Sequence, residues 1–247
     1  MIRSVIISLI ILSMMPADAS AQPGTAYHGQ QIFISGRDGY HTYRIPSIAV
    51  TTKGTVLAVC EGRKGSSGNS GDIDLLLKRS EDHGKTWQLG GRTPEHQVNE
   101  CEAVELTGGR IMLNMRNYDP SMRYRQTAIS DDGGVTWYDQ KFDTILIEPI
   151  CQATLERYDK PGEKDDAIIL FSNPASRDSR INMTLRASKD EGKTWPVSKL
   201  LHPGPSAYSD MAVMVNGNIA IFYEAGTENP HESIIFTQIQ IESIKND

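Results

Sequence analysis

The chain has 247 residues, 38% of them hydrophobic, and a formal net charge of −6. That composition supplies enough apolar surface to offset the entropy of ordering, so it excludes a disordered chain and predicts one folded domain. The acidic balance argues against a nucleic-acid partner, and it requires any anion site to be built from arginines that converge locally.

Residues 1–21 read as a segment apart. Arg3 gives a short positive start, Val5 to Met15 is an unbroken apolar run apart from two serines, and Ala17-Asp18-Ala19-Ser20-Ala21 offers two A-x-A cleavage sites. This is the pattern of a secretory signal peptide, and the run is shorter than the roughly 18 residues of a spanning helix. The expectation is a signal peptide over 1–21, one domain over 22–247, export to the periplasm or the cell exterior, and no membrane span.

Beyond that segment, short apolar runs of period two alternate with turn residues, and no ten-residue stretch carries a helical stripe. The class predicted is all-β. Val104-Glu105-Leu106 and Ile111-Met112-Leu113 flank Thr107-Gly108-Gly109-Arg110 as a hairpin would. Val213-Met214-Val215 and Ile219-Ala220-Ile221 flank Asn216-Gly217, which predicts a type I′ turn. Gln238 to Ile241 alternates as a half-buried strand does.

One eight-residue motif, S-x-D-x-G-x-T-W, occurs three times, from Ser80 to Trp87, Ser130 to Trp137 and Ser188 to Trp195, with starts 50 and 58 residues apart. Each copy follows a strand-like run, and together they hold all three tryptophans. In such a motif Asp accepts hydrogen bonds from nearby N–H groups, Gly turns the corner at positive φ, and Trp staples the hairpin to a core. The recurring aspartates are therefore structural. A unit of that length, with one hairpin of this kind in each, predicts radial repetition of four-stranded blades. Cys60, Cys101 and Cys151 are odd in number, widely spaced and set in apolar runs, which predicts buried free thiols rather than a disulfide or a zinc site.

The repeated motif is the Asp box. With Tyr43-Arg44-Ile45-Pro46 ahead of the first copy, the chain resembles the exo-sialidases (neuraminidases). Further matches follow in order at Glu61-Gly62-Arg63, Asn99-Glu100, Asn114-Met115-Arg116, Phe171-Ser172-Asn173-Pro174, Ser179-Arg180-Ile181-Asn182, Ala207-Tyr208-Ser209-Asp210 and Tyr223-Glu224. The resemblance spans Tyr27 to Ile241 and implies a sialidase-type β-propeller acting on sialylated glycans of glycoproteins, glycolipids or oligosaccharides, with no cofactor and no metal. By the same resemblance Arg44, Arg116 and Arg180 bind the sialic acid carboxylate, Glu224 holds the first arginine, and Arg63 stands at the pocket rim. Arginine forks suit this task because they match two carboxylate oxygens at once. Tyr208 is implied as nucleophile with Glu100 as its base. A neutral phenol avoids the repulsion that a carboxylate nucleophile would meet at the substrate's own carboxylate. Glu100 and the flanking arginines are expected to ease removal of the phenol proton.

Two departures stand out. Where the family has its acid/base aspartate, the loop Lys64 to Asp72 carries Asn69, and Asp72 lies three residues on, where it either substitutes for that acid or, as the preferred reading, opens the next strand. The 215 residues from Tyr27 to Ile241 hold about four blades at the observed period, against six in the family. The readings open at this point are an exo-α-sialidase of the retaining type, a silent propeller that binds sialic acid, and an internally deleted fragment.

Overall fold

The computed structural model describes residues 29–68, 71–95, 97–159 and 167–245. The expected signal peptide and Asn69 lie outside the described residues. Strands dominate, and the one α-helical segment among the described residues is the single turn Glu242–Lys245. No helix there is long and apolar enough to cross a membrane.

The strands form antiparallel meanders that repeat along the chain. The first blade is β1 (Thr42–Val50), β2 (Val56–Arg63), β3 (Ile73–Ser80) and β4 (Gln88–Arg92), paired in that order. The second is β5 (Val98–Glu105), β6 (Ile111–Asn117), β7 (Tyr124–Ser130) and β8 (Tyr138–Ile147). The third is β9 (Thr154–Tyr158), β10 (Ile168–Pro174), β11 (Ile181–Ser188) and the first part of β12 (Val197–Val213). That long strand then changes partner. From Ser206 onward it pairs with β13 (Ile219–Ala225), which pairs with β14 (Ser233–Ile239), giving a fourth blade of three strands.

Packing explains which runs lack alternation. β6 and β10 are buried on both faces, because each is a middle strand covered by the neighbouring blades. Three clusters join successive blades: Leu77 with Leu113 and Trp137, then Met112 with Phe171 and Trp195, then Leu170 with Ile221 and Tyr223. Among the described residues no such cluster joins the fourth blade back to the first. On the two faces left over, Ile48 and Val50 of β1 and Phe222, Ile234 and Phe236 of β13 and β14 are exposed. The count of about four blades is thus what the strands form, with an open seam where the remaining blades of a six-bladed ring would sit.

The three Asp boxes share one network. In each, the aspartate accepts hydrogen bonds from the Thr N–H and hydroxyl four residues on and from the preceding Ser, while that Ser accepts from the Gly N–H. The box glycines lie at φ 85°, 86° and 80°. These bonds outweigh partial burial and hold the Asp132 carboxyl down at about 2. The second and third boxes also clasp the blade before them. Gly91 N–H donates to the Gly134 carbonyl at 2.9 Å, Thr107 N–H donates to Glu191 at 2.5 Å, and Trp195 donates to Asp143 at 2.9 Å. A side chain at Gly90 would meet the Gly134 carbonyl at 2.5 Å, so this seam needs a glycine.

Two local expectations are corrected. Asn216-Gly217 does not form a type I′ turn. The loop runs from Met214 to Asn218, Val215 and Asn216 are its central residues, and only Gly217 has positive φ (79°). The result is an ordinary turn followed by a glycine bulge, which leaves Val215 at the exposed tip instead of in the strand. The last strand also ends earlier than expected, at Ile239, because Ile241 turns inward to the buried cluster of the last two blades. Cys60, Cys101 and Cys151 are buried free thiols as expected, and burial pushes Cys60 up to about 12 and Cys151 up to about 11.

The first strands of all four blades border a cavity of about 430 Å³ that carries Glu102, Glu156 and Asp210. Burial first, then the charges of Asp210 and Asp159, push the Glu156 carboxyl up to about 7. Its folded pKa therefore lies above the unfolded value of about 4.3. Between those limits the folded chain keeps a proton that the unfolded chain releases, so stability falls as pH rises from about 4 to 7. Glu156→Gln is expected to raise Tm by about 2–4 °C at pH 8, corresponding to roughly 1 kcal/mol for a partly exposed group, and to leave it unchanged at pH 4. Equal shifts at both pH values would contradict this account.

Candidate active site

One end of the blade interior is built from irregular backbone. β1 slips register between Arg44 and Ser47, with Ile45 at φ 54° ahead of Pro46. β5 slips between Asn99 and Cys101, with Glu100 at φ 24°, and Ile150 stands at φ 55° just before β9. β12 slips between Ser206 and Ser209, with Tyr208 inside the irregular stretch. Bulges re-aim side chains, and left-handed backbone at non-glycine positions is costly enough to persist only where the surroundings enforce it. The same device recurs at about one blade spacing, and it turns the side chains of several blades onto one place.

At its centre the Tyr208 hydroxyl donates to Glu100 Oε1 at 2.7 Å. Arg116 Nη1 donates to Glu100 Oε2 at 2.5 Å and to the Tyr208 oxygen at 3.2 Å. These three groups come from β12, β5 and β6. Burial, the hydrogen bond to Glu100 and that carboxylate's charge push the Tyr208 phenol up to about 12, against the pull of Arg116. This differs from the expected easing of deprotonation. A carboxylate at hydrogen-bond distance stabilises the neutral phenol, so the resting side chain keeps its proton and the acceptor for that proton is already in place. Arg116 is buried, and its Nε has no hydrogen-bond partner among the described residues.

Arg180 joins this group from the end of β10–β11. Its guanidinium carbon lies 5.7 Å from the centre of the Tyr208 ring, and its Nη2 donates to the Ile150 carbonyl at 3.3 Å. Glu224 of β13 accepts from the Tyr208 backbone N–H at 3.2 Å and lies 3.4 Å from His231 Nδ1. Ile45, Glu100, Tyr208, Phe222 and Glu224 border one depression of about 340 Å³. Arg44 is exposed on β1 next to Ile45, at the same end. None of Asp82, Asp132 and Asp190 borders the depression.

Arg63 departs from its expected place at the rim. It is buried, its Nε and Nη2 donate to Glu61 at 2.9 and 2.6 Å, and its Nη1 donates to the carbonyls of Ser67 and Gly68. A guanidinium with five donors can hold a loop by its carbonyls, and here it fastens the base of the loop that leads to Asn69. Asp72 directly precedes β3 and pairs with Lys64 at 3.2 Å.

Gln152, Thr154, Arg125 and Glu148 stand near the site with no motif to announce them, whereas Ser172 and Ser209 lie within matched motifs. The Gln152 side chain brackets Ser209, accepting from its N–H at 3.0 Å and donating to its carbonyl at 3.0 Å. Thr154 donates to the same carbonyl at 2.5 Å, and the Ser172 and Ser209 hydroxyls meet at 2.8 Å. These bonds hold the backbone of β12 where its register with β13 resumes after the slip. Arg125 and Glu148 form an ion pair at 2.8 Å behind Glu100, and neither is exposed. Glu148 stands in the otherwise apolar stretch Ile145 to Ile150, whereas Arg125 sits among polar residues and carries no such signal.

Residues 34–221 match the family model of the BNR repeat-like domain. The chain is 40% identical over 161 residues to a sialidase of Micromonospora viridifaciens, a match covering 64% of this chain and 25% of that protein. It is 28% identical over 169 residues to Sialidase-2 of Cricetulus griseus, covering 64% and 44%. Among solved structures, a Hadza microbial sialidase superposes with a TM-score of 0.68 at 28% identity, over 79% of this chain and 37% of that one. The matched region spans less than half the length of each of these relatives.

Proposed function

The chain belongs to the BNR repeat-like family of sialidases, and from that membership we propose that it is an exo-α-sialidase that releases terminal sialic acid from glycoproteins, glycolipids or oligosaccharides. The observation that carries this reading is the contact of the Tyr208 hydroxyl with Glu100 at 2.7 Å, beside Arg116 at 3.2 Å. Arg44, Arg116 and Arg180 bind the substrate carboxylate, and their charge fixes the anomeric carbon over the Tyr208 oxygen. Tyr208 attacks that carbon as its proton passes to Glu100, and the glycosidic bond breaks as the C–O(Tyr) bond forms. Since the phenol rests protonated, proton transfer and attack are coupled. Water then attacks the glycosyl–tyrosine and releases its proton to solvent, Glu100 returns the first proton to the departing phenol oxygen, and two displacements retain the anomeric configuration. Glu224 keeps the Tyr208 backbone in position through its N–H.

Departure of the aglycone needs a proton donor when the leaving group is a sugar alkoxide. Asn69 at the matched position has no acidic proton, which favours a second reading in which the chain is a catalytically silent propeller that binds sialic acid. One pair of assays on the purified chain tests both. Hydrolysis of a fluorogenic aryl sialoside together with calorimetric binding of sialic acid is the outcome expected of the first reading. Binding without any hydrolysis would support the second, and neither binding nor hydrolysis would dismiss both.

We also propose that residues 1–21 are removed on export, leaving residues 22–247 as the mature domain in the periplasm or outside the cell. N-terminal sequencing of exported protein should then begin at Ser20 or Gln22, and an intact Met1 would contradict it.

A further inference from the structure

Arg125, on β7, is fully buried and uses its whole guanidinium. Its Nε donates to Asn114 Oδ1 at 2.7 Å, and its Nη1 donates to Glu148 at 2.8 Å and to the Cys151 carbonyl at 2.9 Å. Its Nη2 reaches the Glu100 carbonyl at 3.4 Å. The second oxygen of Glu148 accepts from Asn117 N–H at 2.7 Å, on the same strand as Arg116. The fork therefore ties β6 to the strained turn at Glu100 and to the segment 148–152.

That segment in turn reaches two further parts of the site. Ile150 offers its carbonyl to Arg180, and Gln152 brackets the backbone of Ser209, next to Tyr208. Ile150 and Glu100 both sit at positive φ, at 55° and 24°. Neither is a glycine, so something nearby must enforce those conformations, and the two segments share one partner, Arg125.

We infer that Arg125 is a positioning residue that holds Glu100, Tyr208 and Arg180 in mutual register through the segment 148–152. This rests on the roles proposed above for those three residues. It assigns no contact of Arg125 with substrate. A lysine at 125 keeps the charge opposite Glu148 but, as a point donor, cannot serve four acceptors lying in different directions.

The test uses the full chain with Arg125→Lys and, in case that variant fails to fold, the double variant Arg125→Met with Glu148→Gln. The double variant removes both buried charges, a change that is often neutral for stability, and it keeps an acceptor for Asn117. On an aryl sialoside, each folded variant should lose about 10- to 100-fold in kcat with KM within about threefold, since a small misplacement of reacting groups costs this much. A second readout needs no turnover. With tyrosine labelled at its ring carbon, the Tyr208 signal, assigned by its loss in Tyr208→Phe, reports phenol ionisation. The midpoint of that signal, pushed up to about 12 in the parent, should fall in the Arg125 variants as the bond to Glu100 loosens. Parent-like kcat and parent-like Tyr208 titration in a cooperatively melting variant would overturn the inference. If instead Tyr208→Phe turns over as fast as the parent, the proposed function is what fails, and the titration still decides the role of Arg125.

Discussion

Tyr208→Phe is expected to lower aryl-sialoside turnover by on the order of 10³-fold or more, while sialic acid affinity stays within about threefold. The phenol oxygen is the only part of the side chain removed, and in the proposed reaction it is the atom that bonds to the anomeric carbon. Carboxylate affinity resides in the arginines, which the substitution leaves in place, with the loss of one 3.2 Å bond from Arg116. Arg116 keeps its 2.5 Å bond to Glu100, so that carboxylate does not become an unpaired buried charge. The fold should tolerate the change, because Tyr208 is 37% exposed and its backbone is held independently by Glu224 and through Ser209 by Gln152. Kinetics and calorimetry on the same preparation check this. A parallel loss of binding and turnover would make Tyr208 a structural residue.

Asn69→Asp should have the second largest effect, and its size should depend on the leaving group. General acid catalysis contributes about 10²- to 10⁴-fold. An aryl sialoside departs as a stabilised phenolate and gains little from a donor. A natural sialyl-galactoside departs as an alkoxide and gains most of that factor. The ratio of kcat/KM on the two substrates is the quantity to compare, before and after the substitution. If the unmodified chain already cleaves both well, residue 69 is not the acid position. Asp72 would then need to work in spite of its pairing with Lys64 at 3.2 Å.

Much of the scaffold is legible because its determinants are local. Ser80, Asp82, Gly84 and Thr86 satisfy one another within a single turn, so the motif fixes its own geometry wherever it occurs. The core of each blade follows from runs such as Ile111 to Met115, which have to be covered on both faces. The Asn216-Gly217 turn was misplaced by its dipeptide because the register of Val213 against Ile219 sets the loop length, and that register belongs to the sheet. At the site, Tyr208, Glu100, Arg116 and Arg180 could be named from motifs, and the fold brings them together. The use each side chain makes of its donors could not be named in advance. Arg63 turns inward to loop carbonyls, Arg125 reaches carbonyls 25 and 26 residues away, and Gln152 holds the backbone of Ser209. Such roles depend on where distant carbonyls point, and no local pattern encodes that. The open seam between the first and fourth blades was legible only as a shortage of length.

The covalent step is the central claim, and a fluorinated sialosyl fluoride tests it most directly. Fluoride leaves without protonation, so formation of the adduct does not depend on residue 69, while the ring fluorine slows its hydrolysis. Intact mass and peptide mapping should show one sialosyl adduct per chain, carried by Tyr208 and absent from Tyr208→Phe. A chain that binds sialic acid yet forms no adduct, or forms one on a residue other than Tyr208, would contradict the account.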